Sequence, residues 1–412
     1  MLRNDVILTF GRVGQWQFQS LGNGPTCNVM AINQYPSWEA QKMKRLLWLS
    51  VLVLGAGALV APLAASSSGA ATSRTAVVHV ATSKAPHAAK FLACMVTDTG
   101  GIDDRSFNAS SWQGVQEAES ATISGKYLQS TSESNYVPNI NQFISEKCGI
   151  IVTVGFLMGD DTASAAKKNP GQKFAIVDYS YSPAVKNIDA LVFNTVQDGF
   201  LGGYLAAGMS KTHKVATFGG LKLPTVTIYM DGFWDGVQYY NKQHPKLPAT
   251  KVIGWSEKTQ NGSFTGDFTN QTKGEQLTAT FISEGADIIF PVAGNVGLGA
   301  AAAVKSADNS GGKVNMEWVD TDGCVSAPQY CKYFITSVTK GIQAAVKNAI
   351  VTTAAGKFKG GNYIGTLANG GVVLSPFHDF ASKVPAALQK QLAAVKAGIE
   401  DGKIPTPTKS AV

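Results

Sequence analysis

FLACMVTDTGGIDDRSFN, residues 91–108, decides the fold. Six apolar residues run unbroken from Phe91 to Val96, the pattern of a strand covered on both faces and so of a parallel sheet. Gly100 and Gly101 then permit a sharp turn, and Asp103, Asp104 and Ser106 are residue types that cap the N-terminus of a following helix. That division of roles leaves Asp98, Phe107 and Asn108 at the carboxyl end of the strand. A carboxylate that accepts from hydroxyls, a flat ring and an amide that donates and accepts suit a sugar carrying an aromatic base.

Outward from this stretch the strand–helix phrase repeats. Further strands are expected at 149–155, 173–179 and 189–195, with helices over 106–121, 137–147 and 160–169. A second series places strands at 214–220, 251–256, 286–294, 313–320 and 333–338, and helices near 231–243, 266–284 and 297–308. Beyond Thr339 come a long helix to about residue 356, a hairpin-like GNYIGTLANGGVVLSPF (361–377) and a last helix from Val384 to Gly402. Two βα series of this kind predict an α/β protein of two doubly wound parallel-sheet lobes across a cleft. The first lobe is expected to hold 91–210 and 339–412 and the second 211–338, the crossings between them serving as a hinge.

Residues 43–71 have a basic start, an apolar stretch from Leu46 to about Leu63 and small residues after it, the signature of an export leader. The rival reading of that stretch is a membrane anchor. Residues 1–42 lack periodicity and read as an extension ahead of the natural start at Met43; residues 72–90 read as a linker. Beyond the leader stand four cysteines, Cys94, Cys148, Cys324 and Cys331, an even number in a chain bound for an oxidising compartment. Of the three possible pairings, Cys324 with Cys331 and Cys94 with Cys148 is expected. Removing the five basic and two acidic residues of positions 1–71 from 35 and 28 leaves a net charge of +4. This mild charge, without any Lys/Arg block interleaved with aromatics, excludes nucleic acid as the expected partner.

In open parallel sheets ligands gather at the carboxyl ends of strands. Asp98, Asp178, Gly294, Asp320 and Lys340 all stand at such ends, so one edge of each expected sheet carries polar groups. YMDGFWDG (229–236) opens a helix of the second lobe, and Phe233 is expected to close a sandwich opposite Phe107.

VTDTGGIDDRSFN, VDY, DGFWDG, VAGNVGLGA, VDTDG and TSVTKG, in this order from about Phe91 to the last helix, resemble the basic membrane protein family of ABC-transporter solute receptors, which includes a purine nucleoside receptor. The resemblance implies a type I periplasmic-binding fold. It also implies a nucleoside, of purine type, held between the lobes by Asp98, Phe107, Asn108, Asp178, Phe233, Gly294, Asp320 and Lys340, with rings on the base and carboxylates and lysine on the ribose. A membrane permease is the implied partner, the protein a monomer without cofactor or metal on the outer face of the membrane. Members often carry a lipobox cysteine; no cysteine lies between Met43 and Cys94 here. The alternatives are a nucleoside hydrolase and a ligand sensor on the same fold. The hydrolase is disfavoured because His79, His87, His213, His244 and His378 stand away from the strand ends and no GxSxG, HExxH or P-loop occurs.

Overall fold

The structure, a computed structural model, describes residues 90–410 together with the strands Ile7–Phe10 and Trp16–Gln19, which pair antiparallel. The leader and nearly all of the linker lie outside the described residues. Among those described, no helix is long and apolar enough to cross a membrane.

The continuous apolar runs become buried parallel strands. Sheet 1 contains β1 (Phe91–Val96), β2 (Ile123–Leu128), β3 (Ile150–Val154), β4 (Phe174–Val177) and β5 (Ile188–Phe193). Helices α1 (Phe107–Ala118), α2 (Tyr136–Ser145) and α3 (Gly159–Lys168) connect them. The chain then continues as α4 (Val196–Met209), β6 (Lys214–Gly219), α5 (Pro224–Gln243), β7 (Lys251–Ile253), α6 (Gln271–Ser283), β8 (Ile288–Val292), α7 (Val296–Asn309), β9 (Asn315–Asp320) and β10 (Phe334–Lys340). It ends with α8 (Ile342–Ala354), β11 (Gly361–Gly365), β12 (Val372–Leu374) and α9 (Ala386–Glu400). Sheet 1 has the order β11-β5-β4-β3-β1-β2 and sheet 2 the order β12-β10-β9-β8-β6-β7; every ladder is parallel except β12 on β10. These are two doubly wound lobes.

Three crossings join the lobes: after β5, after β10, and between β11 and β12. The lobe boundaries therefore differ from the expected ones. α4 follows a sheet 1 strand yet packs on α5 and on β10 and β12, so the first crossing falls at Asn194–Thr195 and not near residue 210. α9 rests on α4, and Thr408 and Ser410 hydrogen-bond to Asp231 of α5, so the C-terminus belongs with the second lobe. The stretch 361–377 is not a hairpin: β11 pairs with β5 in sheet 1 and β12 with β10 in sheet 2. Cysteine pairing matches the spacing, Cys94 with Cys148 and Cys324 with Cys331.

The contact of α4 with α5 has a simple cause in sequence. Gly199 and Gly203 of α4 face Gly232 and Gly236 of α5, and a Cβ added at Gly203 would lie 1.9 Å from the Phe233 carbonyl oxygen, one at Gly236 2.0 Å from that of Phe200. Without side chains at these four positions the two backbones touch, which fixes α5 against the lobe. Beneath α4, Glu317 of β9 is fully buried beside Gly202 with neither carboxylate oxygen hydrogen-bonded, and burial pushes its carboxyl up to about 8.

Candidate functional site

The strand ends of the two sheets meet around one cavity, lined by residues of both lobes and open to solvent at its mouth. The turn after β1 builds its first wall. Asp104, and not the helix-capping position Ser106, supplies the cap of α1: its carboxylate accepts from the backbone N–H of Ser106, Asn108 and Ala109 at 3.0, 2.7 and 3.0 Å. Burial still pushes it up to about 7. Asn108 donates through Nδ2 to Asp98 (2.7 Å) and to Asp104 (3.0 Å), and its Oδ1 accepts from the Asp98 backbone N–H. Both amide protons are thus engaged, and Asn108 works as a brace that aims Asp98. Burial raises the Asp98 carboxyl, with Asn108 and the Gly100 N–H opposing.

Asp178 directly follows β4 and Asp320 ends β9, one from each lobe, and both have left-handed backbones with φ of 69° and 65°. Such conformations are uncommon for side-chain-bearing residues, Asp and Asn excepted, and cluster at functional sites. Lys340, at the end of β10, joins them. Its Nζ lies 2.5 Å from Asp178 Oδ2 and 3.5 Å from Asp320 Oδ1, all three side chains at most 10% exposed. Burial pulls the lysine down, but the two carboxylates outweigh it and hold the ammonium above its ordinary value. Burial pushes Asp178 up to about 6 against the pull of Lys340.

The same ammonium also lies over two rings, 5.2 Å from the centroid of Phe107 and 5.1 Å from that of Tyr229. Tyr229 donates its hydroxyl to Asp320 Oδ1 at 3.1 Å, and Ser106 donates across from the other lobe to Asp320 Oδ2 at 2.9 Å. The cavity thus combines four carboxylates (Asp98, Asp104, Asp178 and Asp320), one ammonium and aromatic rings from both lobes. Chemically it can hold a flat molecule bearing several hydroxyl or N–H donors.

Of the eight residues expected from sequence, Asp98, Phe107, Asn108, Asp178, Gly294, Asp320 and Lys340 line this cavity together. Phe233 does not. Its ring is fully buried, stacked on Phe290 with centroids 5.3 Å apart, inside the core under α5. The ring that reaches the cavity is Tyr229, one helical turn closer to the N-terminus of α5, which points at the cleft. Phe156 and Phe268 also line it. Phe156 directly follows Gly155 at the carboxyl end of β3, where the strand-end rule applies; Phe268 sits in a loop that carries no such signal.

Among the described residues, the His/Cys/Asp/Glu group compact enough for a metal is Asp322, Cys324 and His378. Cys324 is committed to its disulfide, which leaves a hydrogen-bonded contact of His378 Nε2 with Asp322 Oδ2 at 2.7 Å. This is not a ligand set for zinc.

Comparison with known proteins agrees with this geometry. The family model described as ABC transporter substrate-binding protein PnrA-like matches residues 91–407. The chain belongs to that family. Among PnrA-like relatives, the ABC transporter nucleoside-binding protein BmpA of Lactococcus lactis subsp. cremoris is 31% identical over 332 residues, 77% of this chain and 89% of the relative. A CD4+ T-cell-stimulating antigen of Listeria innocua is 32% identical over 334 residues, covering 77% and 88%. In fold, a solute-binding protein of an ABC transporter system from Aeropyrum pernix superposes with a TM-score of 0.68 at 23% identity, over 77% of this chain and 94% of that one. The type I periplasmic-binding fold of the PnrA-like family is therefore the fold of this substrate-binding protein.

Proposed function

We propose that this PnrA-like protein binds a nucleoside, of purine type, in the interlobe cavity and hands it to a membrane permease from the extracytoplasmic side. The observation that carries the reading is the pair of rings, Phe107 from one lobe and Tyr229 from the other, flanking the cavity that also holds Asp98, Asp178, Asp320 and Lys340. Aromatic lining contributed by both lobes suits a base, and acceptors at the strand ends suit ribose hydroxyls and base N–H groups. The Lactococcus relative, named as nucleoside-binding, supports the same ligand class.

Calorimetric titration with inosine, guanosine, adenosine, uridine, the free bases and ribose tests this. Saturable heat with purine nucleosides, weak heat with ribose, and nucleoside recovered intact are the expected results. Free base released from the nucleoside would show a hydrolase instead, and no binding of any nucleoside would refute the reading. Asp320→Asn serves as the internal check, weakening ribosides more than free bases because buried hydroxyls lose a charged acceptor.

A further inference from the structure

We propose that Asp231 is a positioning residue for the interlobe cavity: it ties the C-terminal tail and the hairpin after β7 to the back of α5, and thereby sets where the second lobe's wall stands. The residue opens the motif DGFWDG (231–236), whose Phe233 lies in the core, and it is itself fully buried. Its two oxygens serve different segments. Oδ1 accepts from the indole Nε1 of Trp255 at 3.0 Å and from the amide Nε2 of Gln260 at 2.8 Å, both in the short hairpin that pairs Trp255–Ser256 with Asn261–Gly262. Oδ2 accepts from the Thr408 hydroxyl at 2.7 Å, the Ser410 hydroxyl at 3.2 Å and the Lys409 backbone N–H at 3.3 Å. A buried carboxylate stripped of such donors bears the full cost of its desolvation, so this one side chain holds three segments together. The segments also grip one another. Lys409 Nζ donates to the Glu257 and Lys258 carbonyls at 3.1 and 2.8 Å, and Lys222, just before α5, donates to the Gln260 carbonyl at 2.7 Å. Gln260 itself has a φ of 51°, a left-handed conformation that its surroundings must hold in place.

Two routes lead from this carboxylate to the cavity. The first runs through α5. Thr227 and Asp231 are four residues apart and share the back face of the helix, where the Ser410 hydroxyl also meets that of Thr227 at 2.6 Å. Tyr229, two residues from either, stands about 200° round the helix and lines the cavity. The second route runs through the chain after the hairpin. Residues 263–266 lie along the end of β6: the Gly219 N–H donates to the Ser263 carbonyl, and the Thr265 and Gly266 N–H groups donate to the carbonyls of Gly219 and Gly220 at 3.0 and 2.9 Å. Trp255, held by Asp231, packs edge-on against Phe264 with ring centroids 6.0 Å apart. Two residues past Gly266, Phe268 lies against Gly220 and Gly294 and lines the cavity. Asp231, Thr408 and Ser410 do not line it, so their effect on a ligand passes through Tyr229 and Phe268.

Two readouts on the full chain test this, and only the second rests on the nucleoside reading of the cavity. The first is hydrogen–deuterium exchange of the ligand-free protein, followed by mass spectrometry on peptides covering 263–268. The double variant Thr408→Val, Ser410→Ala removes both hydroxyl donors of the tail. It is expected to speed exchange in that segment by about tenfold, the lower end for losing hydrogen bonds to a charged acceptor, while peptides of sheet 1 keep the wild-type rate. Thr408→Ser, which retains a hydroxyl, is expected to exchange as the wild type does. Asn241→Ala, which frees the far end of α5 from Thr250, controls for general loosening and is expected to leave 263–268 unchanged. The second readout is inosine affinity by calorimetry, at a temperature where circular dichroism shows every variant folded. The double variant should bind about threefold more weakly or worse, because a smaller fraction of it has the wall in place, and the two single variants should match the wild type. Unchanged exchange over 263–268 in the double variant, an equal rise in Asn241→Ala, or faster exchange with unchanged inosine affinity overturns the proposal. A wild type that binds no purine nucleoside refutes the nucleoside reading instead, and exchange alone then decides the role of Asp231.

Discussion

Replacing Lys340 by methionine keeps the length of the side chain and removes the charge that Asp178 and Asp320 share across the lobes. In the wild type, Asp178 stands at about 6 with the ammonium 2.5 Å away. Without it the carboxyl faces burial together with the charges of Asp320 and Asp98, and a fully buried carboxyl of this kind rises to about 8. A carboxyl whose folded value lies above its unfolded one contributes stability in the protonated form, and that stability drains away as pH rises to the folded value. For Asp178 the loss is complete by about pH 6 in the wild type and continues to about pH 8 in the variant. The stability gap between the two proteins should therefore widen by ~3 kcal/mol between pH 6 and pH 8, at about 1.36 kcal/mol per unit. This agrees with the ~3–5 kcal/mol typical of removing one member of a buried pair. Urea denaturation followed by circular dichroism at the two pH values measures it. A gap that stays constant over this range would show that the ammonium does not hold Asp178 charged, and the electrostatic account of the cleft would fail.

Tyr229→Ala should weaken nucleoside binding by ~1–3 kcal/mol, the scale of one base stacked on one ring, whereas Phe233→Ala should cost ~3–5 kcal/mol of folding stability; calorimetry and denaturation on both variants separate the roles, and the opposite pattern would return Phe233 to the site. Glu317→Gln replaces a carboxyl that burial holds at about 8. From pH 5 to pH 8 the wild type should lose ~4 kcal/mol relative to this variant, because the folded carboxyl keeps a proton that the unfolded one has released; parallel stability curves would refute it. Opening the Cys94–Cys148 bond, which spans 54 residues, should cost ~4 kcal/mol, and opening Cys324–Cys331, which spans 7, ~2.5 kcal/mol, by loop-closure entropy. Double alanine variants compared by thermal midpoint test the order.

Strands buried on both faces were legible because nothing but apolar residues fits there: β1, β3 and β4 read as unbroken runs. β2 escaped for the converse reason, since as the edge strand of sheet 1 it tolerates Ser124, Gly125 and Lys126. α4 escaped because it is covered nearly all round, with 11 of its 14 residues buried, so it shows no polar face to mark a helical period. Site carboxylates were readable from their place at or just past the carboxyl end of a buried strand. Tyr229 was not separable from Phe233, as residues four apart share a helix face and sequence does not reveal which one overhangs the end. The β11–β12 stretch read as a hairpin because its glycines and asparagine are turn residues, and nothing local records that the two strands join different sheets.

The left-handed backbones of Asp178 and Asp320 narrow the ways this receptor can change its cargo. A serine, threonine or alanine at either place would add about 1–2 kcal/mol of steric cost unrelated to charge, while asparagine keeps the twist and glycine relieves it. New preferences arising on this frame should accordingly exchange acid for amide at these two points, altering which donors are welcomed while the polypeptide's path stays as it is.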